Sequence, residues 1–257
     1  RGQIVSSSTP TTTAVPNSFD HFSDKSTSTS SLLYLNDSYP SYKQQILNPT
    51  YSNRFILDKE DEGLDDQCIY VHDITSGTII NKFEGHNGGI RALQYVGKML
   101  VSGSADGTVC VWNLSKGVCT HVFSGHTSTV RCLQIITPQN ANPNLNELPV
   151  MEPSSPIIVT GSDDSTLKVA QSNDNSYLLH TLQGHNQSVS ALAGMGKILA
   201  SGSYDHTIRI WNTMTAECLW HLQGHTQKID SVVLDTRRGI CVSRSMDGTI
   251  KVWSLED

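Results

Sequence analysis

The sequence predicts an all-β fold built by repetition of one unit, and three observations carry that prediction. Gly-His pairs stand at 85/86, 125/126, 184/185 and 224/225, so successive histidines are 40, 59 and 40 residues apart. A fixed period of this size marks a repeat architecture. Between the pairs, the segments LVSGSADGTVCVW (100–112), IVTGSDDSTLKVA (158–170), LASGSYDHTIRIW (199–211) and CVSRSMDGTIKVW (241–253) align in register. Each reads as strand, tight turn, strand, with a hydroxyl-rich run ending in Asp at its centre. The composition agrees: 19 Gly with only 7% aromatic and 16% charged residues favours short strands and turns over long helices.

Charge and cysteine usage exclude several function classes. A net charge of -6 lacks the basic excess that neutralising nucleic-acid phosphates requires, so no DNA or RNA partner is expected. No 18 apolar residues run together and residues 1–30 hold no apolar leader core, so neither membrane association nor secretion is expected. The six cysteines form no CxxC pair and lie mostly in apolar strand-like runs. They read as reduced packing residues of an intracellular protein, nuclear and/or cytoplasmic. No phosphate loop or metal-spaced Cys/His cluster appears, so no cofactor or metal is expected. The chain begins with Arg1 and stops at Asp257 close behind a strand-like segment, which reads as a fragment.

Along the chain, residues 1–31 are dominated by Ser and Thr and hold too little apolar material to offset backbone ordering. The span 1–53 is therefore expected to be a disordered, low-complexity linker. Within it, 32–53 has scattered apolar residues without a period and fits either linker or a worn strand. Thr9-Pro10 is a proline-directed site, compatible with a phosphorylated self-ligand or with plain linker. A worn repeat begins near Arg54, with Asp66 as its turn residue. The Pro/Asn-rich segment 137–156 accounts for the long step; it reads as a loop joining the first two strands of its unit, available for docking or a passive insertion.

One set of side chains recurs in every unit: His86, Ser102, Asp106 and Trp112; His126, Thr160, Asp164 and Ala170; His185, Ser201, Asp205 and Trp211; His225, Ser243, Asp247 and Trp253. His, hydroxyl and Asp together could suggest a hydrolase triad. A nucleophile, however, needs one exposed site with an oxyanion pocket, and this set occurs four times beside strands that must be buried. The four groups can instead satisfy one another's hydrogen bonds inside each unit. No catalytic residue is assigned, and a non-enzymatic protein is expected.

Gly-His openings, Ser-Gly-Ser-x-Asp centres and closing Val-Trp-Asn or Ile-Trp-Asn runs resemble the WD-repeat family of β-propellers over about residues 64–254. The resemblance implies four-stranded antiparallel blades, whose outermost strand precedes the next Gly-His. Three whole blades are expected, at about 90–123, 130–182 and 189–222. Two partial blades flank them, making an incomplete propeller over 54–257. Ala170 leaves one blade without its indole, and that blade should be less rigid.

The runs GHNGGIRALQYVGKMLVSGSADGTVCVWNLSKGVCTHVFSGHTSTVRCLQI, GSYDHTIRIWNTMTAECL and SRSMDGTIKVWSLED are similar to F-box/WD-repeat substrate receptors of SCF ubiquitin ligases, of the cell division control protein 4 type. That resemblance implies capture of a Thr- or Ser-phosphorylated segment by arginines around the channel on the narrow face. It also implies a Skp adaptor bound through an F-box, which residues 1–53 do not contain. The channel-facing positions are the fifth residue after each histidine (Arg91, Arg131, Ser190, Asp230), the residue before each turn Asp (Ala105, Asp163, Tyr204, Met246) and the residue after it (Gly107, Ser165, His206, Gly248). Arg131 and Tyr204 match the family's binding residues. Gly107, Asp163 and Ser190 stand where the family places arginines, and Arg91 replaces a tryptophan. The expected site is a reduced basic corner of Arg91 and Arg131, with Tyr204 and Met246, meeting an acidic or singly phosphorylated peptide. The alternatives are solvated rim arginines and a general WD-repeat scaffold.

Overall fold

A computed structural model describes the backbone of residues 44–46 and 55–58 and residues 67–73, 76–140, 151–171 and 177–255. The tail with Thr9-Pro10, the turn residue Asp66 and positions 141–150 of the inserted loop lie outside the described residues.

Among the described residues, five antiparallel sheets of three or four strands follow one another along the chain. The first holds β1 (Gln44–Ile46), β2 (Phe55–Asp58), β3 (Ile69–Asp73) and β4 (Ile79–Phe83). The second holds β5 (Ile90–Val96), β6 (Met99–Ser104), β7 (Val109–Asn113) and β8 (Val118–Phe123). In the third, β9 (Val130–Ile136) pairs with β12 (Ile157–Ser162), then β13 (Leu167–Gln171) and β14 (Tyr177–Leu182). Between β9 and β12, β10 (Gln139–Asn140) and β11 (Met151–Glu152) form a short ribbon. The fourth sheet holds β15 (Val189–Met195), β16 (Ile198–Ser203), β17 (Ile208–Asn212) and β18 (Cys218–Leu222). The fifth holds β19 (Ile229–Asp235), β20 (Ile240–Ser245) and β21 (Ile250–Ser254).

Two expectations change in detail. The first sheet has a fourth backbone strand, β1, inside 32–53, the stretch that fits either linker or a worn strand. The inserted loop does join the first two strands of its sheet, but it is clasped at its base by the β10–β11 pairing rather than being wholly irregular.

The apolar core lies between sheets, not within them. One cluster joins Ile69 and Phe83 of the first sheet to Leu100 and Trp112 of the second. Further clusters join the second sheet to the third, the third to the fourth and the fourth to the fifth. The first strands pack in succession, β5 on β9, β9 on β15 and β15 on β19, as the inner strands of propeller blades do. This explains the burial along each blade. The second strands β6, β12 and β16 are covered on both faces, whereas the outer strands β8 and β18 face water.

Close approach between blades depends on glycine. A Cβ at Gly103 would sit 2.5 Å from Val130 Cγ1, one at Gly161 2.7 Å from Val189 Cγ1, and one at Gly202 2.5 Å from Ile229 Cγ2. Only a residue without a side chain lets the next inner strand seat there. The same position of the fifth sheet holds Arg244. There the outward face is uncovered: Ile250 and Val252 are 68% and 46% exposed, while their counterparts Ile208 and Ile210 are fully buried.

The cysteines divide. Cys110 and Cys241 are buried, and burial pushes their thiols, like that of Cys132, up to about 12. Cys119 and Cys218 are exposed on the outer strands, which corrects the expectation that they pack inside.

Candidate peptide-binding rim

The rim is held by the recurring side chains, which the structure brings together in every blade from the second to the fifth. His185 is typical. Its Nδ1–H donates to Asp205 Oδ2 at 2.9 Å, its Nε2 accepts from Ser201 Oγ at 2.8 Å, and Ser201 Oγ accepts from Trp211 Nε1 at 2.8 Å. The acceptor-only carboxylate fixes this tautomer. His225, Asp247, Ser243 and Trp253 repeat it at 2.8, 2.8 and 2.9 Å. His86 bonds Ser102 at 2.7 Å and Trp112 bonds Ser102 at 2.8 Å, while Nδ1 lies 3.3 Å from Asp106 and 3.0 Å from Thr108. In the third blade His126 meets Asp164 at 2.8 Å and Thr160 at 2.9 Å, and Ala170 supplies no indole.

A further member of the set was not singled out from sequence. The threonine two places after each turn Asp (Thr108, Thr166, Thr207, Thr249) donates its hydroxyl to that carboxylate at 2.6–2.7 Å. Its recurrence in register was the available signal. Burial alone would raise the Asp106 carboxyl, but hydrogen bonds from Thr108 and the Asn87 amide hold it at about 2, and Asp164 likewise at about 2. The same opposition of burial and donated hydrogen bonds keeps Asp205 and Asp247 well below the usual carboxylate range. Burial pushes His86 and His126 down, toward the neutral imidazole that the hydrogen bonds require.

The turn fixed in this way presents the rim. Each of Arg91, Arg131, Ser190 and Asp230 is the extra residue of a β-bulge in its inner strand, skipped in the pairing with the second strand. A bulge kinks the strand and re-aims the side chain. Behind it, the residue three after each histidine accepts a backbone hydrogen bond from the residue before each turn Asp: Thr129 from Asp163, Ser188 from Tyr204, Lys228 from Met246.

Around Tyr204 these positions converge. The Arg131 guanidinium stands 5.6 Å from the Tyr204 ring centroid and Lys228 Nζ 4.6 Å from it. Arg131 Nε donates to Asp163, which also accepts from the Ser188 hydroxyl. The hydrogen bond to the Asp163 carboxylate raises the Arg131 pKa above its ordinary value. Met246 lies beside Lys228 and is exposed. Arg91 is half-buried on β5, one blade before Arg131, whereas these partners of Arg131 lie in its own and the following blade. Ser190 is turned inward, its hydroxyl donating to the carbonyls of Gly202 and Ile229. Asp230 is engaged by Arg244 through Nε and Nη2 at 3.0 and 2.9 Å. Lys228 and Arg244 are the rim cations that sequence reasoning missed. Among the described residues no group of three or more His, Cys, Asp or Glu could hold a metal ion, and no helix is long and apolar enough to cross a membrane.

The family model "WD domain, G-beta repeat" matches residues 77–113, 117–170, 176–212 and 216–254. Cell division control protein 4 of Candida albicans is 40% identical over 76% of this chain and 31% of its own length. WD repeat-containing protein pop2 of Schizosaccharomyces pombe is 44% identical over 67% of this chain and 27% of its own. Cell division control protein 4 of Saccharomyces cerevisiae is 40% identical over 76% and 26%. The chain thus spans less than a third of the length of these relatives. The crystal structure of the computationally designed Ika8 protein superposes with a TM-score of 0.64 at 30% identity, over 80% of this chain and 57% of that one. Matched repeats, sister sheets and a network recurring in register lead to one assignment: the chain belongs to the WD-repeat family of β-propellers, a protein-interaction domain.

Proposed function

We propose that this chain supplies the peptide-binding face of a substrate receptor in an SCF-type ubiquitin ligase, receiving an acidic or phosphorylated segment around Arg131, Tyr204 and Lys228. The observation that carries the proposal is the pair of cations against one tyrosine ring. The Asp163 bond uses Arg131 Nε, so the terminal nitrogens of the fork remain for an incoming oxyanion. Lys228 adds a point charge on a flexible stem. The face binds and does not catalyse, and the receptor works inside the cell, in nucleus or cytoplasm. A Skp adaptor would be held by an F-box outside this sequence.

Fluorescence anisotropy with a phosphothreonine peptide and its unphosphorylated twin tests the reading. The phosphopeptide should bind tighter, and Arg131→Ala or Lys228→Ala should each weaken it about tenfold, the loss of one charge-assisted contact. Asp163→Asn should strengthen it by releasing Arg131 and removing a like charge. Equal affinity of wild type and Arg131→Ala sinks the proposal.

One observation favours a second reading, a general WD-repeat scaffold: Asp163 and Asp230 each engage an arginine that would otherwise meet the ligand. Under that reading binding is indifferent to phosphate. A longer chain that includes the upstream sequence and still fails to co-purify the Skp adaptor would decide for the scaffold.

A further inference from the structure

The four networks differ at one point, and the difference leaves a hollow with a polar atom in it. In three blades the indole fills the space beside its histidine, at ring-centroid separations of 6.1–6.3 Å and tilted edge to face. In the third blade Ala170 leaves an open hollow between the second and third sheets: about 340 Å³ when reckoned out into solvent, with room inside for about one water (about 20 Å³). Its apolar walls are Val109, Phe123, Ile158 and Leu178, and its polar end is Thr160 with His126.

The hydrogen-bond pattern makes that end specific. His126 Nδ1–H donates to Asp164, so Nε2 accepts the Thr160 hydroxyl proton. Ser102, Ser201 and Ser243, whose hydroxyl protons are committed in the same way, each accept an indole N–H at 2.8–2.9 Å. Thr160, 3% exposed, lines the hollow and meets no such donor among the described residues. Its hydroxyl already has one partner in His126, and a ligand N–H would add the second bond that each of the three serines makes. Phe123 precedes His126 by three residues, as Phe83 precedes His86. Phe83 meets the Trp112 ring edge to face at 5.4 Å, so Phe123 offers an incoming ring the same contact. The Lys168 stem, passing 3.4 Å from a Cβ built on Gly125, covers the spot that the indole edge covers at Gly85, Gly184 and Gly224. It is a flexible chain that a ring can displace.

We propose that the Ala170 hollow is a binding site for a small planar heteroaromatic with a ring N–H donor, of indole size, which lies against Phe123 and His126 and donates to Thr160 Oγ1. It is the place of a missing side chain, kept with its acceptor and its aromatic wall. As it stands the hollow has room for about one water, so a ring enters by swinging the Lys168 stem outward.

The test uses the full chain and indole itself, read by thermal unfolding and by calorimetric titration. The wild type should show a saturable rise in Tm with indole. 1-Methylindole, which lacks the donor, should bind about fivefold or more weakly, the loss of one hydrogen bond. Ala170→Trp should abolish the response, and Ala170→Leu is the second blocking variant should the larger residue not fold. Absence of a saturable shift in the wild type overturns the site, as does an undiminished shift in a folded blocking variant. Equal affinity for indole and 1-methylindole overturns the assignment of Thr160 as acceptor.

Discussion

The third and fourth blades solve the same problem with and without an indole. In the fourth, Trp211 is 1% exposed, joins the core shared with the third blade and closes a chain running from its own N–H through Ser201 and His185 to Asp205. In the third, that chain starts at Thr160, and Lys168 and Leu178 stand around an unfilled space. Yet the polar half survives intact, since the His126 bond to Asp164 is as short as its counterpart in the fourth blade. The turn is therefore fastened by the charged end of the network, and the tryptophan contributes packing between blades.

Several measurements would break or sharpen that division of labour. Trp211→Ala should have the largest effect, about 3–5 kcal/mol by chemical denaturation, since a buried indole is lost and a cavity remains. A loss near 1 kcal/mol would mean that the fourth blade tolerates the third blade's arrangement. Next in size is a paired comparison of the hydroxyls. Ser201→Ala strands both Trp211 Nε1 and His185 Nε2 and should cost about 2–3 kcal/mol, whereas Thr160→Val strands only His126 Nε2 and should cost about 1 kcal/mol. Equal losses would show that the indole bond is idle.

Acid should then unfasten the second and third blades in two stages. The folded pKa values of His86 and His126 are depressed, so the unfolded chain binds more protons and stability falls as pH drops from about 6.5, the ordinary histidine value. Asp106 and Asp164, held at about 2, contribute stability that is complete above the unfolded value near 4 and is lost as pH falls toward 2. Denaturation midpoints followed from pH 7 to pH 2 should decline in that order; a flat profile between 7 and 5 would contradict the neutral buried imidazoles. The smallest effect is a control common to both blades. Ser165 and His206 adopt positive φ, 67° and 70°, where the second and fifth blades have Gly107 and Gly248. Ser165→Gly and His206→Gly should each stabilise by about 0.5 kcal/mol, the relief of a left-handed side chain less the added freedom of the unfolded chain.

The repeats were legible because each network member is a residue type with its own hydrogen-bonding role and recurs at fixed spacing. Ala170 could be read as a missing indole for that reason. The rim was only partly legible. Arg131 and Tyr204 were singled out and do meet, but a bulge leaves no mark in residue types, and Asp163 was read as a reversed charge without its bond to Arg131. Lys228 escaped because it stands three places after its histidine, where the other blades carry Gly89, Thr129 and Ser188. The first sheet was faint because it lacks the Ser-Gly-Ser centre, so 32–53 fitted a worn strand no better than linker and Gln44–Ile46 was not singled out.

Arg244 finally says something about sequence order in propellers. Gly103, Gly161 and Gly202 are sockets for Val130, Val189 and Ile229, which a Cβ there would meet at 2.5–2.7 Å. The fifth sheet carries in that place a guanidinium clasped to Asp230, a larger group for a following strand to pass than a glycine. Blades that look interchangeable by their repeats are thereby given an address. A circular permutation or blade swap that ignores this one side chain should misassemble, while one that moves glycine and arginine together should not.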